Sequence, residues 1–327
     1  MCTSVSFTNP ALYGRTLDLE RSFGEQGVIT PRDYVFHFHD RPPMERHYAM
    51  IGMATVVKEY PLYFEAANEK GLYVAGLSFS DNGHFFPEPD PAKENVAPYE
   101  LIPLLLGSCE TLSQARRVLE NLCITGIPFM PELQPAMLHW HIADSTGSLV
   151  VEPQPDGLHI YDDPVGVMTN NPRFPFHLLN LNNYQGLSAK PPENRFCQGL
   201  ELRILGQGMG AMGLPGDISP TSRFVRAAFL RNNCYFKDDE DAQITQFFRV
   251  LNGVYVVRGS VITQNGQIDE TVYSCCYDAR RGIYYYSVYD NCAIHAVRLF
   301  DEELDAKGLL RFPVSREAEF IYDKPQA

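Results

Sequence analysis

The chain has 327 residues, 45% of them hydrophobic and 20% charged, with a formal net charge of -13. That balance argues against a nucleic-acid partner, because phosphate binding needs a basic face, and it leaves an anionic substrate to be attracted by local positive groups alone. The length suits one large domain or two small ones, and no repeat, low-complexity linker, signal-peptide pattern or apolar run of transmembrane length divides it.

The chain opens MCTSVSFTNPALYGRTLDLE. If Met1 is removed, Cys2 carries a free thiol and a free α-amine on one carbon. Such an amine titrates near ~7.7–8.0 and a cysteine near ~8.5, so the amine can take the thiol proton without a histidine. The competing reading is an ordinary small residue in second position. Next comes Gly14-Arg-Thr-Leu-Asp18. Gly14 permits a close turn, and a turn or bulge is expected to bring Arg15 and Asp18 toward one site, since residues three apart need not share a strand face. An arginine beside a thiol favours the thiolate, and a carboxylate beside an amine positions it. Taken alone, the pair reads equally as a surface ion pair.

Residues 48–57 and 72–79 read as strands, short and apolar, with a turn at 68–71. The segment 85–98 is rich in proline and charge and reads as a loop. A helix is expected over 110–122, with Thr111 and Gln114 as a capping box and Ala115, Val118, Leu119 and Leu122 as its apolar stripe. Strands return at 136–144, 147–153, 157–161 and 165–169. The last ends in Thr169-Asn170, where a side-chain amide can serve an oxyanion or simply terminate the strand. Helical patterns follow at 221–232 and 242–253, the second with Ile244, Phe247, Phe248 and Leu251 on one face. Arg223 sits in a first helical turn, where a cation opposes the helix dipole; a buried carboxylate or thiolate nearby would account for it. Strands close the chain at 271–277, 282–290 and 293–300. Hairpin-like strand series with helices between them, without βαβ alternation, point to an α+β fold with large antiparallel sheets under helix layers.

Several patterns are set aside. Gly-Met-Gly-Ala-Met-Gly at 208–213 fits a dinucleotide fingerprint, but Pro215 and Gly216 follow and no helix begins there. The pairs His37/His39 and His139/His141 lack a third ligand and read as packed or solvated side chains. The cysteines (Cys2, Cys109, Cys123, Cys197, Cys234, Cys275, Cys276, Cys292) form no C-x-x-C pair, so no zinc site is suggested, and without a signal-peptide pattern or a transmembrane run a cytoplasmic protein with reduced thiols is expected. Cys275 and Cys276 should point to opposite faces of one strand.

Taken together, these segments resemble the choloylglycine hydrolase family, N-terminal-nucleophile amidases that include bile salt hydrolases and penicillin V acylases. The resemblance runs nearly end to end: MCT at the start, GRTLDLE (14–20), ITPRDY (29–34), YPLYF (60–64), ANEKGL (67–72), LHW (138–140), VVEP (150–153), MTNNP (168–172), LPGDISPTSRFVR (214–226) and YYY (284–286). Within the family, the sequence is most similar to bile salt hydrolases of gut bacteria.

The resemblance implies a single four-layer αββα domain over residues 1–327, commonly assembled as a homotetramer, with no cofactor and no metal. It implies Cys2 as nucleophile and base, Arg15 and Asp18 setting its protonation and orientation, Asn170 offering its amide to the oxyanion, and Arg223 completing the polar site. The steroid-lining positions fall on Leu17, Val57, Phe64, Phe129, Leu133 and Leu138, all apolar. The implied substrates are glycine- and taurine-conjugated bile salts, with acyl transfer to amines as a corollary. A penicillin V or acyl-homoserine-lactone acylase, or an inactive sterol-binding relative, are the alternatives. One departure stands out. Bile salt hydrolases usually read AGLNF where this chain has AGLSF, so Ser78 replaces an asparagine. The backbone N–H that the family uses there is retained.

Overall fold

The computed structural model describes residues 1–325. In chain order it contains β1 (Cys2–Thr8), β2 (Ala11–Leu19), β3 (Gln26–Thr30), β4 (Met50–Val57), β5 (Tyr60–Asn68), β6 (Tyr73–Ser78), β7 (Glu94–Val96), α1 (Leu101–Ser108), α2 (Leu112–Leu119) and β8 (Leu122–Ile124). Then come β9 (Leu138–Asp144), β10 (Gly147–Gln154), β11 (Gly157–Asp162), β12 (Val167–Met168), α3 (Phe174–Asn180), α4 (Pro220–Asn233), α5 (Glu240–Asn252), β13 (Val261–Ile262), β14 (Ile268–Asp278), β15 (Ile283–Val288), β16 (His295–Arg298) and β17 (Leu310–Phe312).

Two antiparallel sheets stack face to face. One runs β12-β1-β2-β14-β15-β16, with β13 beside β14; the other runs β11-β10-β9-β6-β5-β4-β3-β17. Helices α4 and α5 pack on the outer face of the first, and α1 and α2 on the outer face of the second. This is the expected αββα sandwich. The period-two geometry of a strand explains why β6 is apolar throughout. Tyr73, Ala75 and Leu77 face the core shared with the first sheet, whereas Val74 packs in the core under α1.

The helical readings hold where one apolar face is clear. Ile244, Phe247, Phe248 and Leu251 of α5 are buried, and Asp239 caps the helix by accepting from the Ala242 N–H at 2.7 Å. In α2, Thr111 accepts from the Gln114 N–H at 3.3 Å, but the Gln114 side chain accepts from the Glu110 N–H rather than closing on Thr111. This helix ends at Leu119, so Leu122 belongs to β8 and not to the helical stripe. The strand expected over 165–169 narrows to Val167–Met168, and the segment at 299–301 is a 3-10 turn.

The largest correction concerns Gly14. No turn forms there: Gly14 lies within β2, paired with Val5 of β1. Its hydrogen side chain is required by close approach, because a Cβ would fall 1.9 Å from the Cys275 carbonyl oxygen of β14. A bulge does exist, but on the partner strand, where β14 carries an extra residue between Thr271 and Tyr273 opposite Asp18 and Leu17.

Candidate active site

Strand alternation places the polar groups of β1 and β2. Cys2 pairs with Leu17 and Ser4 with Arg15, so Cys2 and Arg15 share the face turned toward the second sheet. Asp18 and Thr16 lie on the opposite face with Thr3. Arg15 and Asp18 therefore lie on opposite faces of one strand, and no turn brings them together. Cys2, the first residue of β1, turns its side chain to the inner face and its backbone N–H to Asn170.

On the inner side, Arg15 is fully buried and its Nη2 lies 2.5 Å from the Cys2 Sγ. Its other nitrogens donate to the carbonyls of Gly76 (2.6 Å), Thr16 (3.2 Å) and Phe64 (3.3 Å). Burial alone would push this guanidinium down, but Cys2, Tyr273 and Glu65 hold it up, so it stays a cation beside the thiol. On the outer side, Asp18 accepts from Thr271 at 2.7 Å and from Thr16 at 3.0 Å. Burial pushes its carboxyl up, and the charge of Arg223 pulls against that shift.

Arg223 stands in the first turn of α4 with no exposed surface. The cation at a helix N-terminus has the local reason its position demands. It donates to the Cys2 carbonyl, to Thr3 Oγ1 at 2.6 Å and to Asn170 Oδ1 at 2.7 Å. Burial pushes it down, and Asp18 and Cys2 favour its charge.

Asn170 follows β12 by two residues and is 6% exposed. Its Oδ1 accepts from the Cys2 N–H at 2.8 Å as well as from Arg223, which fixes the amide's orientation. Its Nδ2 donates to the Ser78 carbonyl at 2.8 Å, leaving a second N–H on the same nitrogen. The Phe79 N–H donates to Met137, so ladder alternation turns the Ser78 N–H and carbonyl away from β9. Pairing of β5 with β6 stops at Ala75, so no strand covers that edge. The Ser78 N–H thus faces the gap bridged by Asn170, while the Ser78 Oγ lies 3.2 Å from Ser80 Oγ.

Cys2, Arg15 and Ser78 border a cavity of about 390 Å3. All six apolar positions singled out in the sequence, Leu17, Val57, Phe64, Phe129, Leu133 and Leu138, line it. Tyr99, Ile102 and Trp140 extend the apolar wall. The chemistry available is a thiol with a cation at its sulfur, an asparagine amide held between Cys2 and Ser78, and an apolar chamber beside them.

Several groups of the site escaped sequence reading. Thr16 and Thr271 hold Asp18, His177 lies 2.9 Å from the Asn170 carbonyl, and Glu65 lies 3.8 Å from Arg15. The available signal for Glu65 was a single carboxylate in the apolar run YPLYFEAAN. His139 and His141 are buried and bound to Thr169, Ser4 and Asp163. Cys275 and Cys276 are both buried in β14, the former among Glu65 and Arg15, the latter toward Asp278. The segment 208–213 forms a 3-10 turn at Met209–Ala211, not a strand-to-helix phosphate loop.

Comparisons with known proteins agree with this architecture. Residues 2–312 match the model of linear amide C–N hydrolases of the choloylglycine hydrolase family. A bile salt hydrolase/transferase from Lactiplantibacillus plantarum is 41% identical over 321 residues, covering 98% of this chain and 99% of that protein. The conjugated bile acid hydrolase of Clostridium perfringens, in a mutant crystal structure, superposes with a TM-score of 0.91 at 34% identity, over 99% of this chain and 100% of that one. A penicillin V acylase from Agrobacterium tumefaciens shares the fold, with a TM-score of 0.76 at 19% identity over 96% of this chain and 91% of that one. The sandwich, the end-to-end match and the identity to these relatives together make the chain a member of the choloylglycine hydrolase family of amide C–N hydrolases.

Proposed function

We propose that the chain is a cysteine amidase that cleaves glycine- and taurine-conjugated bile salts. The observation that carries this reading is the apolar chamber that opens onto the Cys2 sulfur, beside the Arg15 guanidinium. A steroid body fits an apolar chamber, and its amide would lie at the polar floor.

The reading requires the peptide bond before Cys2 to be cut. Its nitrogen then becomes an amine that retains Asn170 Oδ1 as partner. The amine takes the thiol proton, and the thiolate attacks the amide carbonyl carbon. The oxyanion is met by the Ser78 N–H and the second N–H of Asn170. The protonated amine gives its proton to the leaving nitrogen as the C–N bond breaks. Water then attacks the thioester, returning the proton to sulfur and releasing the free bile acid. An amine in place of water would give acyl transfer. Arg15 balances the thiolate, and Asp18 with Arg223 orders the other side of Cys2.

Among the described residues, no helix is long and apolar enough to cross a membrane. The reading places the protein in the cytoplasm as a homotetramer. Exposed Phe196, Leu200, Leu202, Ile204 and Leu205 support burial against further copies. Light scattering tests that assembly.

The function is tested by measuring free glycine and taurine released from a panel of glyco- and tauro-conjugates, with penicillin V and an acyl homoserine lactone as competitors. Turnover confined to the last two would replace this reading with that of an acylase. No turnover of any, with Cys2 unmasked, would leave a sterol-binding relative.

A further inference from the structure

Glu65 sits in the middle of β5 with no exposed surface. A buried carboxylate is costly unless hydrogen bonds and charge meet it. Three elements supply them. Tyr273 of β14 donates to Oε2 at 2.6 Å, Tyr284 of β15 donates to Oε1 at 2.6 Å, and Arg15 Nη1 of β2 lies 3.8 Å away. Arg15 is the residue whose Nη2 reaches the Cys2 sulfur. Its orientation does not depend on Glu65, because three carbonyls already hold it. Its charge balance does.

Taking Cys2 as the nucleophile, as above, we infer that Glu65 acts through Arg15 as a positioning residue for the thiol's proton: it shares the guanidinium charge with Cys2 and so limits how strongly the thiolate is stabilised. Two anions that compete for one cation each feel less of it. A thiolate stabilised too far is a weaker nucleophile, because nucleophilicity falls with basicity. The other titratable groups facing Glu65 are Tyr73, Tyr273, Tyr284 and Cys275, and burial holds all four well above their ordinary values. They stay neutral through the working range, which leaves Glu65 as the counter-charge. Burial holds its own carboxyl above the usual carboxylate range, and Arg15 and the tyrosine hydroxyls oppose that shift. Cys2 itself faces Arg15, Asn170 and Arg223 and, once Met1 is removed, its own α-amine, which is the same in parent and variants.

The test is the pH dependence of Cys2 alkylation by iodoacetamide in Glu65→Gln, which removes the charge and keeps the shape. Modification is followed on the Cys2 peptide by mass, since Cys197 and Cys292 are exposed and react as well. The midpoint should fall by about one pH unit, and the limiting alkylation rate of the thiolate by about threefold. Glu65→Asp, which keeps the charge, should stay within about 0.3 unit of the parent. An unchanged or raised midpoint in Glu65→Gln overturns the inference. If that variant does not fold, Tyr284→Phe carries the test: the carboxylate loses a donor, protonates more readily, and the midpoint falls by a smaller amount. No fall there also overturns it. The underlying reading fails separately, if alkylation of Cys2 in the parent enzyme leaves turnover intact.

Discussion

Asn170→Ala is the substitution that separates catalysis from strand termination. The structure gives the Asn170 side chain three bonded neighbours: Cys2 N–H and Arg223 on Oδ1, and the Ser78 carbonyl on Nδ2. Alanine removes the spare N–H that the proposed oxyanion needs. One such donor is worth roughly 100- to 1,000-fold in turnover, or ~2.7–4 kcal/mol. The loss should fall on kcat and not on KM, because the donor acts on charge that develops after binding. Alanine also leaves buried groups short of partners, which should lower stability by about 1–3 kcal/mol. Asn170→Asp divides the two effects. It keeps an acceptor for Cys2 and Arg223 but loses the N–H, so kcat should fall at least as far while stability falls less. The assay is glycine release from glycocholate at saturation, alongside urea unfolding. If kcat in either variant stays within about tenfold of the parent, Asn170 is not an oxyanion donor and only closes its strand.

Further outcomes follow from the same geometry. Ser78→Asn should change the ratio of kcat/KM between glycocholate, taurocholate and penicillin V more than the maximal rate on the best substrate, because a side-chain change leaves the strand and the direction of its backbone N–H in place; a similar large gain on every substrate would mark the natural serine as a catalytic defect. Phe129→Ala, in the apolar wall packed against Tyr60 and Tyr99, should raise KM by about 10- to 150-fold with kcat within about threefold, since about 1.5–3 kcal/mol attends burial of a large apolar side chain; an equal loss in kcat would mean the chamber shapes the transition state. His177 is buried and held below its ordinary 6.5 by desolvation, so its stabilising contribution is full above that value and is lost as the pH falls through it. Urea midpoints at pH 7.5 and 5.5 should therefore diverge more in the parent than in His177→Gln, and equal divergence would refute the linkage.

The parts of the fold legible in the sequence are those where burial is one-sided or complete. The α5 stripe and the apolar run of β6 express packing directly. The first two strands hide theirs. In β1, Ser4 and Ser6 point inward and are buried, with Ser4 bonded to the carbonyl of Gly14 and to His141, so the interior face looks polar. In β2, the glycine that reads as a turn is there because β14 passes too close for a side chain. Helix α1, LIPLLLGS, is buried on nearly every side and shows no 3.6-residue period. At the site, Cys2, Arg15, Asp18, Asn170 and Arg223 could be singled out by residue type and local setting. Their convergence could not, since it depends on a gap between β5 and β6 and on the opposite faces of β2. Glu65 and Thr271 act across sheets or strands distant in sequence, and their residue types carry no local sign of it.

The most direct test of the central claim compares the parent protein with Cys2→Ala in the hydrolysis of glycocholate, with folding of both verified by circular dichroism and Cys2 shown by intact mass to be the first residue of the parent. The parent should release glycine and free bile acid in equal amounts, and the variant should release neither above background. Substantial glycine release by a folded Cys2→Ala protein would contradict the assignment of Cys2 as nucleophile.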